Sequence, residues 1–446
     1  MSLELSNDRA FIEVVPPLTQ REAAEEALRC YFCYDAPCIQ ACPTGIDIPG
    51  FIHHIVTGDL KGSARTILDA NILGATCARI CPTEALCEGS CVRVEDSRPV
   101  TIGRLQRAAM DHAMASGTPE LPPLPERGSG CVAVIGAGPA GLGAASQLCR
   151  MGYRVDVYDK RDAGGGLDTY GIVSYREPLT VSLFEVEVIK QLGVNFHFGQ
   201  TIATSADLQH LRNTHDAVVV AVGLGKVPRL AIPGEDLEGV YDALDLVEET
   251  KTRPLMDIRM GRLAVVVGAG NTAVDAATCA RRLGAEEVTI LYRRDEAALP
   301  AYRYEYEFAK QDGVSYRWWT LPTAIIGDGR VQGVQVVRTA LKGGDRSSRT
   351  AELTVIEGSE FTIPADTVIR AIGQEKEATI WELMGAQMKN GVVVVEPRTY
   401  ETSVPGVYGI GDCLARPGES TVVQAVEDGK RAALAIHRRL MCQQAR

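Results

Sequence analysis

The stretch CVAVIGAGPAGLGAASQLCRMGYRVDVYDK, residues 131–160, decides the fold. It opens on an apolar run and turns through Gly136-x-Gly138-x-x-Gly141. Helical spacing follows from about Pro139 to Met151, and a second run, residues 153–160, has the pattern of a strand. That order is the strand–helix–strand unit of a dinucleotide-binding domain. The glycines permit a tight turn and let a pyrophosphate approach the helix N-terminus, where Pro139 and Ala140 stand and where unpaired amides and the helix dipole favour an anion. Asp159, followed by Lys160, ends the second strand, where an acid is placed to hydrogen-bond a ribose hydroxyl.

A second copy opens at Leu263 with LAVVVGAGNTAVDAATCARRLG and continues into EEVTILYRR. Its turn, Gly268-Ala-Gly270-Asn271-Thr272-Ala273, carries alanine in the third glycine position, which the motif allows. Two copies imply two nucleotide sites on two domains. Where a ribose-binding acid would end the second strand, this copy has Tyr292-Arg293-Arg294. Guanidinium forks pair with phosphate, so these arginines favour NADP(H), with its 2′-phosphate, over NAD(H). Solvated arginines without a cofactor role are the alternative.

On the N-terminal side, residues 117–130 (GTPELPPLPERGSG) replace periodicity with proline and glycine and read as a linker. Residues 1–120 read as mostly helical, with apolar positions at helical spacing in 19–32 and 59–73. Eight of the thirteen cysteines fall here. They form two runs, Cys30-x2-Cys33-x4-Cys38-x3-Cys42-Pro43 and Cys77-x3-Cys81-Pro82-x4-Cys87-x3-Cys91. Structural zinc usually shows two close ligand pairs, whereas bacterial ferredoxins show runs of four beside proline, the last cysteine ligating the other cluster. Two [4Fe–4S] clusters are the expectation, with zinc or merely buried thiols as alternatives. His53 and His54, on a helical pattern beside the first run, read as surface or packing residues. On the C-terminal side, residues 321–371 resemble a small antiparallel sheet, and a strand at PGVYGIGD precedes a helix from about Thr421 to Leu440.

Composition bounds the rest. A chain of 446 residues, 46% hydrophobic, is expected to form two to three domains. A net charge of −11 and a pI near 5.3 argue against nucleic-acid binding, which needs a basic face. No uncharged apolar stretch of membrane-spanning length occurs, and the start MSLELSNDRAFIEVV lacks a signal-peptide pattern, so neither membrane nor export is expected. A cytoplasmic location, with reduced thiols, is the reading.

The runs CYFCYDAPCIQACP and CARICPTEALCEGSCVR, followed by IGRLQR, resemble the N-terminal domain of the dihydropyrimidine dehydrogenase and glutamate synthase small-subunit family, and the similarity continues over nearly the whole chain. The resemblance implies an α/β protein in which a helical iron–sulfur domain, 1–127, precedes two Rossmann-like domains. One binds FAD and is discontinuous, 128–250 and 372–446; the other, 251–371, binds NAD(P) and is inserted into it. The segments AVGLG, 221–225, and AIGQ, 371–374, with Gly373, resemble the crossings between them.

In the dihydropyrimidine branch the clusters exchange ligands and one accepts a glutamine. The resemblance thus implies one cluster on Cys30, Cys33, Cys38 and Cys91, and another on Cys42, Cys81, Cys87 and Gln106, leaving Cys77 as a neighbouring thiol. Glutamate-synthase-type members tend to carry an acid at the Gln106 position. Similarity to two-dinucleotide flavoproteins assigns the first site to FAD through the Gly165-Gly166-Leu167 turn, Gly411-Asp412 beside the ribityl chain, and the helix start at Thr421 and Val422; Arg176 joins this set. A nicotinamide delivers a hydride and a [4Fe–4S] cluster takes one electron, a mismatch that FAD resolves. The expected partner is an FMN- and iron–sulfur-containing catalytic subunit that reduces uracil or thymine. A glutamate synthase small subunit is the rival reading, and a non-catalytic scaffold is disfavoured by two intact fingerprints.

Overall fold

Thr19, Asp47 and Asp59 start three of the N-terminal helices by accepting the backbone N–H of Glu22, Gly50 and Gly62 with their side chains. The helices are α1 (Gln20–Ala27), α2 (Pro37–Ala41), α3 (Ile48–Val56), α4 (Leu60–Ala70), α5 (Gly74–Ile80) and α6 (Ile102–Ala115). Phe51, Ile52, Ile67, Leu68, Leu105 and Met110 from α3, α4 and α6 are buried together. Glu26 locks α1 to the approach to α6: it accepts from Arg29 and Arg98 and from the Thr101 N–H. Burial opposes its charge, but these donors hold its carboxyl below the usual carboxylate range.

In this computed structural model the described residues are 9–117, 119, 121, 124–126, 128, 130–342, 351–414 and 420–444. Residues 118, 120, 122, 123, 127 and 129 of the expected linker lie outside them. The chain forms two compact units: Val14–Thr169, Arg176–Leu224 and Lys376–Arg446 make one, and Met1–Glu13, Tyr170–Tyr175 and Gly225–Glu375 the other.

In the first unit the helical segment accompanies a parallel sheet. Its strands are β1 (Cys131–Ile135), β2 (Arg154–Asp159), β3 (Asn195–Phe198), β4 (Ala217–Val220) and β16 (Val407–Gly409), in the order β16-β4-β1-β2-β3. Both central strands, β1 and β4, are short apolar runs buried along nearly their whole length, as expected where helices cover both faces. Helices α7 (Pro139–Arg150), α8 (Leu167–Tyr170), α9 (Leu179–Gln191) and α10 (Ser205–Thr214) lie between strands, and the long α15 (Val422–Gln444) packs on α7. Glycine makes that packing close: a Cβ at Gly143 would sit 2.7 Å from the Val426 carbonyl oxygen, and one at Gly429 would overlap the Ala140 carbonyl. The short α14 (Thr379–Met384) and the ribbon of β14 (Met388–Lys389) and β15 (Val392–Val393) complete this unit.

The other unit holds a second parallel sheet, ordered β5-β13-β6-β7-β8. Its strands are β5 (Val240–Asp242), β6 (Leu263–Val267), β7 (Glu287–Leu291), β8 (Val314–Arg317) and β13 (Thr367–Arg370), with helices α11 (Ala243–Thr252), α12 (Asn271–Arg282) and α13 (Arg303–Gln311). An antiparallel sheet of β9 (Thr320–Asp328), β10 (Arg330–Leu341), β11 (Leu353–Val355) and β12 (Phe361–Pro364) is attached. Two details differ from the sequence reading. Residues 367–370, expected in the antiparallel segment, pair in parallel with β6 and β5. Residues 225–250, expected with the FAD domain, lie in this unit, because β5 is an edge partner of β13. Among the described residues no helix is long and apolar enough to cross a membrane.

Candidate functional site

Eight cysteines of the first unit, those between Cys30 and Cys91, gather into two cavities. Cys30, Cys33, Cys38 and Cys91 line one of them, with Tyr31, Ile48 and Ile52 in its wall. Proximity comes from local geometry: Phe32 takes a left-handed conformation (φ 52°) and its N–H points to Cys30 Sγ at 3.4 Å, while Cys38 lies on α2 and Cys91 starts a 3-10 turn at Val92. Burial raises the Cys30 thiol and, with the charges of Cys30 and Cys91, pushes Cys38 up to about 11. Thiols crowded in this way are a donor set suited to a thiophilic metal centre, which holds them deprotonated.

The second cavity is lined by Cys42, Cys77, Cys81, Cys87 and Gln106. Cys42 and Cys81 end α2 and α5, and Gln106 lies on the buried side of α6. Gln106 Nε2 donates to the Gly74 carbonyl at 2.7 Å, which commits the nitrogen end of the amide and leaves Oε1 as the atom it could offer to a metal. Burial and then the Glu88 charge push Cys87 well up. Cys77 is buried on α5, and its thiol is raised first by its hydrogen bond with Cys81 and then by burial. Ile48 borders both cavities, and Val423 of α15 borders the second. His54 is occupied by an exposed pair with Asp59 at 3.0 Å, and both histidines lie outside the two linings.

The glycine loop of the same unit joins β1 to α7. Gly136 has φ 105°, and a side chain there would overlap the Ala221 carbonyl; one at Gly141 would overlap the carbonyl of Gly136. At Gly138, by contrast, a Cβ would meet only Gly166 Cα, at 3.8 Å, so the face expected to receive a pyrophosphate is open. Asp159 accepts from the Ala137 N–H at 2.7 Å and from the Arg161 N–H at 2.8 Å. It therefore braces the loop, a role beyond the ribose contact expected from the sequence. The Gly165-Gly166 turn sits on the loop, with Gly165 N–H donating to the Ala137 carbonyl at 2.7 Å; Leu167 beyond it is exposed. Gly411 (φ 74°) packs over Ala140 and donates to buried Asp428, which brings Asp412 beside the start of α7. Thr421 Oγ1 accepts from Gln424 N–H, capping α15 next to Val422. Lys160 is exposed and Arg176 half-buried.

In the other unit, Gly268 (φ 123°) would clash with the Ala371 carbonyl if substituted, while nothing stands within 4 Å of a Cβ at Gly270, the residue before α12. Asn271 Oδ1 accepts from Tyr302 N–H at 3.1 Å, and Thr272 follows in the same turn. The arginine pair divides. Arg293 is exposed, but Arg294 is buried and donates to the Ala351 carbonyl at 2.7 Å, so its guanidinium is held by the backbone just ahead of β11. Gly373 also belongs to this unit, with φ 99° and open space around it.

A profile described as pyridine nucleotide-disulphide oxidoreductase matches residues 130–429, and one described as dihydropyrimidine dehydrogenase domain II, 4Fe-4S cluster, matches residues 7–118. The chain belongs to the pyridine nucleotide-disulphide oxidoreductase family. The glutamate synthase [NADPH] small chain of Azospirillum brasilense is 36% identical to this oxidoreductase over 442 residues, covering 96% of this chain and 91% of that one. The NAD-dependent dihydropyrimidine dehydrogenase subunit PreT of Escherichia coli K12 is 34% identical over 426 residues, covering 95% and 96%. The fold is also that of Mycobacterium tuberculosis FprA in complex with NADPH (TM-score 0.58, 19% identity, 71% of this chain and 85% of that chain). The thioredoxin reductase of T. acidophilum gives a TM-score of 0.53 at 22% identity over 70% of this chain and 98% of that one. This flavoprotein oxidoreductase therefore combines a 4Fe-4S domain with nucleotide-binding Rossmann-type domains.

One feature absent from the sequence reading joins its helical and flavin parts. Glu185 of α9, fully buried, accepts from the N–H groups of Ala75 and Thr76 at 2.6 and 3.1 Å and from Thr76 Oγ1, which also contacts Glu177 at 2.5 Å. Burial pushes Glu185 up to about 8 against these donors, and the Glu177 charge adds to the rise. Its folded value lies above the ordinary 4.5, so the folded state keeps a proton that the unfolded chain loses. Stability should fall as pH rises from about 4.5 to 8, by up to ~1.4 kcal/mol per unit, and be level above. Glu185→Gln should remove this slope, so that the variant gains on the parent protein as pH rises. Urea midpoints across the range measure it, and two parallel curves would refute the assignment.

Proposed function

We propose that this chain is the electron-input subunit of a two-subunit dihydropyrimidine dehydrogenase, oxidising NAD(P)H and delivering electrons to an FMN-containing partner subunit that reduces uracil or thymine. The observation that carries the electron-transfer reading is the pair of adjoining thiol-lined cavities in the same unit as the first glycine loop. When bound, FAD takes a hydride and releases single electrons, which [4Fe–4S] centres accept. The chain's own residues supply the rest. Gly136, Gly138 and Gly141 with α7 seat the pyrophosphate, Asp159 the ribose, and Asp412 and the start of α15 the flavin end. Cys30, Cys33, Cys38 and Cys91 hold one cluster; Cys42, Cys81, Cys87 and the Gln106 amide hold the other.

The wall residues support an order. Val423, next to the proposed flavin-facing residues Thr421 and Val422, borders the Gln106 cavity; Ile48 separates that cavity from the one walled by Tyr31, whose ring is exposed. The second cavity then lies on the flavin side and the first faces the partner. Gln106 favours the pyrimidine branch, its amide being oriented to offer a neutral oxygen. The identity to the Azospirillum small chain favours the other reading, a glutamate synthase small subunit, in which this chain would feed an amidotransferase.

Three outcomes test these assignments. Anaerobically purified protein should hold about eight irons per chain. Gln106→Leu should lower that toward four, whereas Cys77→Ser should leave it unchanged; iron lost equally in both would reverse the roles of Cys77 and Gln106. For the nicotinamide, we assign NADPH preference to exposed Arg293. Arg293→Glu should weaken NADPH by about ten- to a hundredfold more than NADH, the worth of a charged hydrogen bond of roughly 1.5–3 kcal/mol; equal steady-state losses with both cofactors would remove Arg293 from phosphate recognition. Finally, the purified chain should reduce artificial acceptors with NAD(P)H and leave uracil untouched until the FMN subunit is added. Cys81→Ser should abolish the coupled reaction while flavin bleaching by nicotinamide persists. Uracil reduction by the chain alone would refute the subunit reading, and productive binding to a glutamate synthase large subunit instead would establish the alternative.

A further inference from the structure

Away from the cysteine cavities, the flavin-side sheet assembles a second kind of donor set. Cys131 is the first residue of β1 and Asp156 is the third of β2; His215 stands between α10 and β4. In the parallel register Cys131 is level with Arg154, Ala133 with Asp156 and Tyr158 with His197, so the two-residue alternation of strands places Cys131, Asp156 and His197 on one face. Cys131 Sγ lies 3.5 Å from Asp156 Oδ2, and His215 Nε2 lies 3.6 Å from the same oxygen. The sulfur, the carboxylate oxygen and the imidazole nitrogen all fall within 4.8 Å of one another. Tetrahedral zinc, with Zn–S of about 2.3 Å and Zn–N or Zn–O of about 2.0–2.2 Å, sets neighbouring ligand atoms roughly 3.4–3.6 Å apart.

Hydrogen bonding gives an independent reason to place a cation there. His215 Nδ1 faces two acceptors, the Leu211 carbonyl at 3.1 Å and Thr214 Oγ1 at 2.9 Å, and the Thr214 hydroxyl proton is directed to the His210 carbonyl at 2.8 Å. Nδ1 therefore carries the ring proton, and in the neutral ring Nε2 presents a lone pair to a carboxylate oxygen. A backbone carbonyl on the far nitrogen is the arrangement that orients metal-binding histidines. The other carboxylate oxygen, Asp156 Oδ1, is held from outside by His197 Nε2 at 2.8 Å and Asn195 Nδ2 at 3.4 Å, which turns Oδ2 toward Cys131 and His215. The His215 and Asp156 side chains are 7% and 19% exposed, so the group is largely sheltered from water. Burial, and after it the Asp156 charge, pushes the Cys131 thiol up to about 11; the surrounding charges are the Asp216 carboxylate, which accepts the Cys131 N–H, and the Arg154 guanidinium.

We propose that Cys131 Sγ, Asp156 Oδ2 and His215 Nε2 bind one divalent transition-metal ion of the zinc class, with His197 and Asn195 positioning the carboxylate. Sulfur, nitrogen and carboxylate oxygen together select zinc over magnesium or calcium, which take oxygen donors. The site lies toward the starting ends of β1 and β2, whereas the glycine loop follows their finishing ends. It therefore ties β1 and β2 to the segment entering β4 without occupying the nucleotide position.

The test uses the anaerobically purified, cluster- and flavin-loaded chain, dialysed against micromolar Zn2+ and desalted, with zinc, iron, acid-labile sulfide and flavin measured together. About one zinc per chain is expected, with iron, sulfide and flavin unchanged, and a zinc-edge X-ray absorption spectrum showing one sulfur among nitrogen and oxygen ligands. Cys131→Ser and His215→Gln should each cut bound zinc at least fivefold while iron and flavin remain. Asp156→Asn provides the same reading should either variant fail to fold. Zinc equal in parent and variants, zinc gained only as iron is lost, or no zinc taken up would overturn the proposal and leave His215 as an imidazolium paired with Asp156.

Discussion

The close crossing of α7 and α15 is the constraint on which the first unit depends. Gly143 and Gly429 allow backbone to meet backbone, so the helix that receives the glycine loop and the helix that closes the fold share one seam. One end of that seam sets Gly411 over Ala140 and Asp428 beneath Gly411; the next turn puts Val423 into the wall of a thiol-lined cavity. A larger residue in the seam would separate all three, because interiors packed at crystal density transmit such displacements instead of absorbing them.

Around that seam the protein places charge where low polarity makes it consequential. Glu26 is held ionised by two arginines and an amide, whereas Glu185, with only amides and a hydroxyl, is pushed toward its neutral form. The difference lies in depth of burial and in the partners: Glu185 is the more deeply buried and faces Glu177, while for Glu26 guanidinium groups repay the loss of hydration that dipoles alone repay only in part. Both carboxylates join distant segments, Glu26 tying α1 to α6 and Glu185 tying α5 to α9.

Much of this was legible in the sequence. The two glycine turns were readable because their requirement is local: positive φ at Gly136 and Gly268 and open space before Gly138 and Gly270 follow from the turn itself. The grouping of Cys91 with Cys30, Cys33 and Cys38 was not readable from spacing; it was reached only through family resemblance. Arg294 misled because its partner, the Ala351 carbonyl, comes from the segment ahead of β11, 57 residues along the chain, and leaves no trace near residue 294. Strand β13 misled for a related reason, since a four-residue apolar run carries no signal of which sheet it will join. The Cys131, Asp156 and His215 group was silent too, its members coming from two strands and the end of a helix with no motif spacing.

The last helix also bears on how the molecule is made. Lys430 Nζ donates to the carbonyls of Thr44 and Ala70, spans of 386 and 360 residues, and Val423 walls a cavity whose thiols lie before residue 107. A ribosome adding about 5–20 residues per second exposes those thiols for some tens of seconds before the covering helix emerges. During that interval the nascent chain offers an open set of cysteines to an iron–sulfur carrier or to an oxidant. Assembly of the cavity is thus a race between delivery and damage, which the first turns of α15 bring to an end.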